Sequence, residues 1–163
     1  MTKQFWIFLG VGVGVVAIVL GFIWVGSKSA HLELTGNILK VRAVPAGEKA
    51  SLVIVDFRVS NPSALPFVVS DVRLKLTTPD GNIVEGAAAS REAIEKVFAG
   101  QKLVGTRFND VLALRDKVPP EKTLDRMTGA RFELPAATVD ARKSMVLRLE
   151  DLDGIVAELT EKQ

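Results

Sequence analysis

The sequence contains no cysteine and only one histidine. The first absence excludes disulfides and any thiolate-bound metal, but it does not fix a compartment, because cysteine-free chains are as normal in oxidising as in reducing surroundings. The second leaves no evident base for a serine nucleophile, and a metal site built on His31 would need carboxylates for all its other ligands. His31 lies beside the end of an apolar run and reads as an interfacial polar residue. Low-complexity or strongly biased segments are missing too, which argues against a disordered tail. The expectation is a protein that is not an enzyme, with no catalytic residue, no cofactor and no metal assigned.

Charge is missing from one long stretch. The 22 residues from Phe5 to Gly26 (FWIFLGVGVGVVAIVLGFIWVG) carry none. As a helix rising about 1.5 Å per residue this run is roughly 33 Å long, enough to cross a bilayer core. Trp6 and Trp24 stand near its ends, where indole rings favour the headgroup interface. A single transmembrane helix is expected over 5–26, after a short tail (1–4) and before a polar tether (27–30) that holds the rest of the chain near the membrane surface. The competing reading, a cleavable secretory signal, has a shorter apolar region of about 7 to 15 residues. Cleavage after Ser29, with Ser27 upstream, stays open.

Sidedness is contested by two features. Lys28, Lys40 and Arg42 come after the span while Lys3 precedes it, a balance that favours a cytoplasmic C-terminal part. A short tail before a long apolar run has instead the layout of a signal anchor, which sends the downstream chain across the membrane. The reading adopted is a bacterial-type inner-membrane protein, single-pass, with a periplasmic or extracytoplasmic domain.

All 19 acidic residues and every basic one except Lys3 lie beyond the span, where they nearly cancel. The pI near 9.0 reflects a small basic excess, not a patch, so nucleic acid is not expected as a partner. Residues 31–163 suffice for one ordinary domain with its own core.

In this domain the apolar period is mostly two. Val53, Val55, Phe57 and Val59 alternate with Asp56 and Arg58, as in a half-buried strand with its charges in water. Val72, Leu74 and Leu76 alternate with Arg73 and Lys75. Thr78-Pro79-Asp80-Gly81-Asn82 forms a turn into a return strand from Ile83. Leu32, Leu34, Leu39, Val41 and Ala43 supply one long strand or two short ones. Thr128, Ala130, Phe132 and Leu134 predict another, as do Met145, Leu147 and Leu149. Val118-Pro119-Pro120-Glu121-Lys122 cannot lie within a central strand. Ser90 caps a short helix to Phe98, with Ile94, Val97 and Phe98 on one face and Gly100 past its end. The fold class is therefore all-β, an immunoglobulin-like antiparallel β-sandwich with a short helical insertion, preceded by one transmembrane helix.

The segment Asp56 to Gly81 (DFRVSNPSALPFVVSDVRLKLTTPDG) resembles the core of late embryogenesis abundant type 2 (water-stress) domains. Their pattern is an alternating strand ending in Asn-Pro, a few polar residues, a second Pro and another alternating strand. Asn61-Pro62, Pro66 and Val72-Leu74-Leu76 occupy the matching places, and similar patterns occur in bacterial membrane-anchored immunoglobulin-like domains. The resemblance covers about 26 of 163 residues. It implies a non-enzymatic β-sandwich and carries over no catalytic residue, while the insertion at 90–98 departs from it.

The remaining clusters read as structural. Glu150, Asp151 and Asp153 lack the spacing of a calcium loop and are expected at a solvated strand end. Asp125, Arg126 and Arg131 read as charges facing water on alternate strand positions, with an ion-pair network or docking patch as the alternative. Gly10-Val11-Gly12-Val13-Gly14 lies inside the apolar run, where a dinucleotide loop has no place. Gly10, Gly14, Ala17 and Gly21 recur every three or four residues, a small-residue groove on which another membrane helix can pack. The expected role is an accessory subunit of a larger membrane protein complex, respiratory or photosynthetic, with other transmembrane subunits as partners and no small-molecule ligand. The alternative is a free-standing envelope sandwich that binds a small ligand, lipid or stress-related partner.

Overall fold

A computed structural model describes residues 12–20, 34–100 and 105–161. The chain divides between His31 and Leu32 into two units. In the first, residues 12–20 are helical (α1). Most of the expected span 5–26, the tail 1–4, the tether 27–30, Trp6, Trp24, Gly10, Gly21 and His31 lie outside the described residues. No helix among the described residues is long and apolar enough to cross a membrane.

The second unit is mostly antiparallel β structure. Its strands are β1 (Thr35–Pro45), β2 (Ser51–Asn61), β3 (Phe67–Thr77), β4 (Ile83–Ala88), β5 (Asp110–Val111), β6 (Lys117–Val118), β7 (Lys122–Phe132), β8 (Ser144–Asp151) and β9 (Val156–Thr160), with helices α2 (Arg91–Gly100) and α3 (Ala136–Asp140) between them. Hydrogen bonding runs in the order β1-β2-β7-β4-β3-β8-β9, with β5 added to β7 and β6 to β3. A single bridge, Ile38 to Glu161, links the two ends, so the sandwich is almost a closed barrel.

Strand β4 joins the two layers. It pairs with β3 from Ile83 to Gly86 and with β7 at Ala87 and Ala88. Only glycine fits where it crosses, since a Cβ on Gly86 would stand 2.6 Å from the Phe132 ring and 2.9 Å from Ala130 Cβ.

The core follows the alternation. Val53, Val55, Phe57 and Val59 of β2 face Leu74 and Leu76 of β3 and Met145, Leu147 and Leu149 of β8 in one apolar cluster. A bulge between Val69 and Asp71 switches the facing of β3, so Phe67 and Val69 point inward before it and Val72, Leu74 and Leu76 after it. The hairpin forms where expected, with Gly81 at φ 90° and its N–H donating to Thr78 O.

Several expectations need correction. Strand β2 is not half-buried, because α2 lies over its outer face and closes a second cluster of Val44, Ile54, Ile94, Val111 and Met127. Asp56, expected in water, is also buried. Leu39 does not share a face with Val41 and Ala43, since a bulge between Ile38 and Lys40 turns Ile38 inward and leaves Leu39 48% exposed. Leu34 precedes β1, and Leu134 comes after β7, whose strand stops at Phe132 before Pro135 and α3. Gly100 closes α2 instead of lying past its end. The Ser90 cap stands, its Oγ accepting from Ala93 N at 3.2 Å.

Asn61, at the end of β2, is fully buried and organises the loop of the Asn-Pro motif. Its Nδ2 donates to Leu65 O (2.8 Å) and Val118 O (3.0 Å), and its Oδ1 accepts from the Ser63 N–H and hydroxyl. Asn61→Ala leaves these groups unpaired and should cost about 1–3 kcal/mol. Urea unfolding of the full chain in mild detergent, monitored by circular dichroism, checks this. An unchanged midpoint would show that water replaces the amide.

Candidate functional site

Gly14 and Ala17 of the apolar run, three positions apart, share one face of α1, and a Cβ added at Gly12 or Gly14 would meet nothing within 4 Å. Val13, Val15, Val16, Ile18, Val19 and Leu20 are each more than half exposed. This helix presents apolar side chains on every side.

Several residues of the charged clusters make contacts within the domain. The Asp125 carboxylate forms a two-pronged pair with Arg58 across β2 and β7, at 2.7 and 2.8 Å, while Arg126 reaches the Asp125 backbone carbonyl at 3.2 Å. The Arg58 guanidinium, first by its hydrogen bond, holds the Asp125 carboxyl below its ordinary value. Arg131 pairs with Glu133 instead. In the acidic group Asp151 is buried, not solvated, because its Oδ1 accepts from Val68 N at 2.7 Å across the β3 bulge. Among the described residues no group of three or more His, Cys, Asp and Glu could hold a metal ion. Arg42, expected among the charges flanking the span, is half-buried in a pair with Asp56 (2.6 Å).

Periodicity does not disclose a concavity in the domain. Where β4 leaves β3 for β7, the two sheets part, and residues 112–116 are strung across the opening. Leu112 N donates to Met127 O on β7, while Arg115 N donates to Val69 O and Asp116 O accepts from Val69 N on β3. The carboxylate of Asp116 fixes the turn by accepting from Ala113 N (2.8 Å) and Arg91 Nη2 (2.6 Å).

Two adjoining clefts flank this strap. One, about 460 Å³, has Val72, Leu112 and Thr128 at its floor and Ala88, Ala89, Ala113 and Leu114 in its walls, with Asp71, Ser90 and Glu92 at the rim. Its volume lies in the range of small-ligand sites. The Glu92 carboxyl is held below its ordinary value by its own backbone N–H and then by the Ser90 hydroxyl, so it is spent on the start of α2. The other cleft, about 410 Å³, is polar, lined by Asp110, Lys117 and Arg126, and it shares Arg91 and Leu112 with the first. Alternation marks Val72 and Thr128 as strand positions. That they border an opening depends on the path of β4, which no local pattern encodes.

The sequence matches no family model and no curated protein. Solved structures with similar chains include an uncharacterized β-sandwich protein from Clostridium difficile 630, at 12% identity and TM-score 0.42, covering 79% of this chain and 85% of that one. A Bordetella pertussis structure described as ApaA gives 15% identity and TM-score 0.37, over 79% of this chain and 88% of that one. A structural-genomics target, SoR45, gives 11% and 0.35 over 83% of each chain. Likenesses at this level assign no activity.

Proposed function

We propose that the chain is a single-pass membrane protein whose immunoglobulin-like, water-stress-domain-like sandwich serves as a non-enzymatic interaction module, an accessory subunit of a larger membrane complex. The observation that carries this reading is α1, whose six large apolar side chains are all more than half exposed within a run of 22 uncharged residues. Such a surface is stable only in lipid or against another apolar surface. Small residues at Gly14 and Ala17, in register with Gly10 and Gly21 in the sequence, support packing on a partner helix.

Gly14→Leu should weaken assembly without unfolding the sandwich, because the added side chain holds a partner helix off the groove. The test is copurification from membranes in mild detergent, with Val15→Leu as the control. Equal recovery of the partner with both variants would reduce the stripe to lipid-facing composition. The domain is placed outside the cytoplasm, in the periplasm of a bacterial-type envelope. A reporter active only there, fused after Gln163, should give signal, and a signal from a cytoplasmic reporter at the same point would reverse the assignment.

A further inference from the structure

The two clefts beside the 112–116 strap differ in character, and they meet at Arg91 and Leu112. The first has an apolar floor and walls made by Val72, Leu112, Ala113 and the exposed Leu114. The second carries three cations, Arg91, Lys117 and Arg126, against two acids, Asp110 and Asp116. Both acids are already engaged: Asp116 binds Arg91 at 2.6 Å, and Asp110 binds Arg107 at 3.2 Å. Arg126 donates only to the backbone carbonyl of Asp125, and neither it nor Lys117 makes an ion pair among the described residues. Two cations without an ion pair among the described residues thus line a concavity, with Asp110 the β5 neighbour of Arg126, next to an apolar trough of small-ligand size.

We propose that these clefts form one binding site for an anionic amphiphile. A carboxylate or phosphate head would sit between Lys117 and Arg126, and a short alkyl or comparable apolar body would lie over Val72, Leu112 and Leu114. The guanidinium of Arg126 offers a planar fork to two oxygens, and Lys117 a mobile point charge. The apolar trough gains by removing the tail from water, so neither half of the ligand satisfies the site alone. This inference does not depend on the accessory-subunit reading, since it concerns the domain's own clefts. The same chemistry is offered by a free amphiphile and by an anionic lipid drawn from the bilayer.

The test uses the full chain in nanodiscs of zwitterionic lipid, titrated calorimetrically with octyl phosphate, octanol and inorganic phosphate, with empty discs subtracted. Octyl phosphate should bind saturably at one site, at least about tenfold tighter than either fragment. Lys117→Ala with Arg126→Ala should weaken it by about tenfold or more, and Leu114→Asp should do so independently through the tail. All three positions are exposed or half-exposed, and circular dichroism verifies that the variants keep their strand signal. Repeating the titration in discs containing phosphatidic acid separates the sources. Loss of the octyl phosphate signal there means that the bilayer lipid occupies the site, and its retention means that a free amphiphile does. Absence of saturable binding in zwitterionic discs, affinity no better than that of octanol, or indifference to the substitutions overturns the proposal.

Discussion

Asp56→Ala should destabilise the domain by about 3–5 kcal/mol, because it leaves a buried guanidinium without its counter-ion. The side chains of Arg42 and Asp56 are 9% and 5% exposed and meet at 2.6 Å. Around this pair the insertion is tied down. Asn109 Nδ2 donates to Asp56 Oδ1 at 2.9 Å, Arg42 Nη1 donates to Thr106 O at 3.1 Å, and the Arg42 guanidinium lies 5.1 Å from the centre of the Phe98 ring. One carboxylate therefore holds β1, β2 and the segment leading to β5 together. Equilibrium urea unfolding of the full chain in mild detergent, read by circular dichroism, measures the loss. A double replacement, Asp56→Leu with Arg42→Met, removes both charges and should recover most of the stability, since paired apolar groups of similar volume often equal a buried ion pair. If Asp56→Ala costs less than about 1 kcal/mol, the pair is screened by water and contributes as a surface pair does.

That pair also shows what a one-dimensional pattern can carry. Val53, Val55, Phe57 and Val59 alternate with Asp56 and Arg58, and the apolar set does face the main core. The pattern identifies one buried face and is silent about the other. Asp56 is buried under Arg42 and Asn109, on the outer face where α2 places Ile94 with Ile54 and Met127. A charged residue in an alternating strand reads as solvent-facing until something tertiary covers it. The turns were legible for a local reason: Gly81 and the Pro119-Pro120 pair fix backbone geometry within a few residues. Strand β9 and the two-residue β5 and β6 were not, because their hydrogen bonds, not their composition, define them. The clefts lay furthest from view, as they arise where β4 changes partner between Gly86 and Ala87. The motif residue Asn61 was visible as Asn-Pro, and its four hydrogen bonds supply a physical reason for that residue type.

The same change of partner sets the second large effect. Phe132, at the end of β7, is fully buried and rests on the bare backbone of Gly86. Phe132→Ala should cost about 3–5 kcal/mol, combining the lost transfer energy of the ring with the cavity left behind. Gly86→Val should also destabilise, by about 1–3 kcal/mol or more, since a Cβ there falls 2.6 Å from Phe132 Cε2 and 2.9 Å from Ala130 Cβ. The two losses should not add. With Phe132 truncated, the valine occupies part of the vacated space, so the double variant should be more stable than the sum of the two losses implies, with a coupling of about 0.5–3 kcal/mol. Urea midpoints of the two single variants and the double variant, measured in the same detergent, give that coupling directly. Strict additivity would mean that Gly86 is required for the backbone path of β4 itself and that the ring only happens to lie above it. A favourable coupling means instead that the strand crosses between sheets at this point because an aromatic ring takes the space a side chain would need.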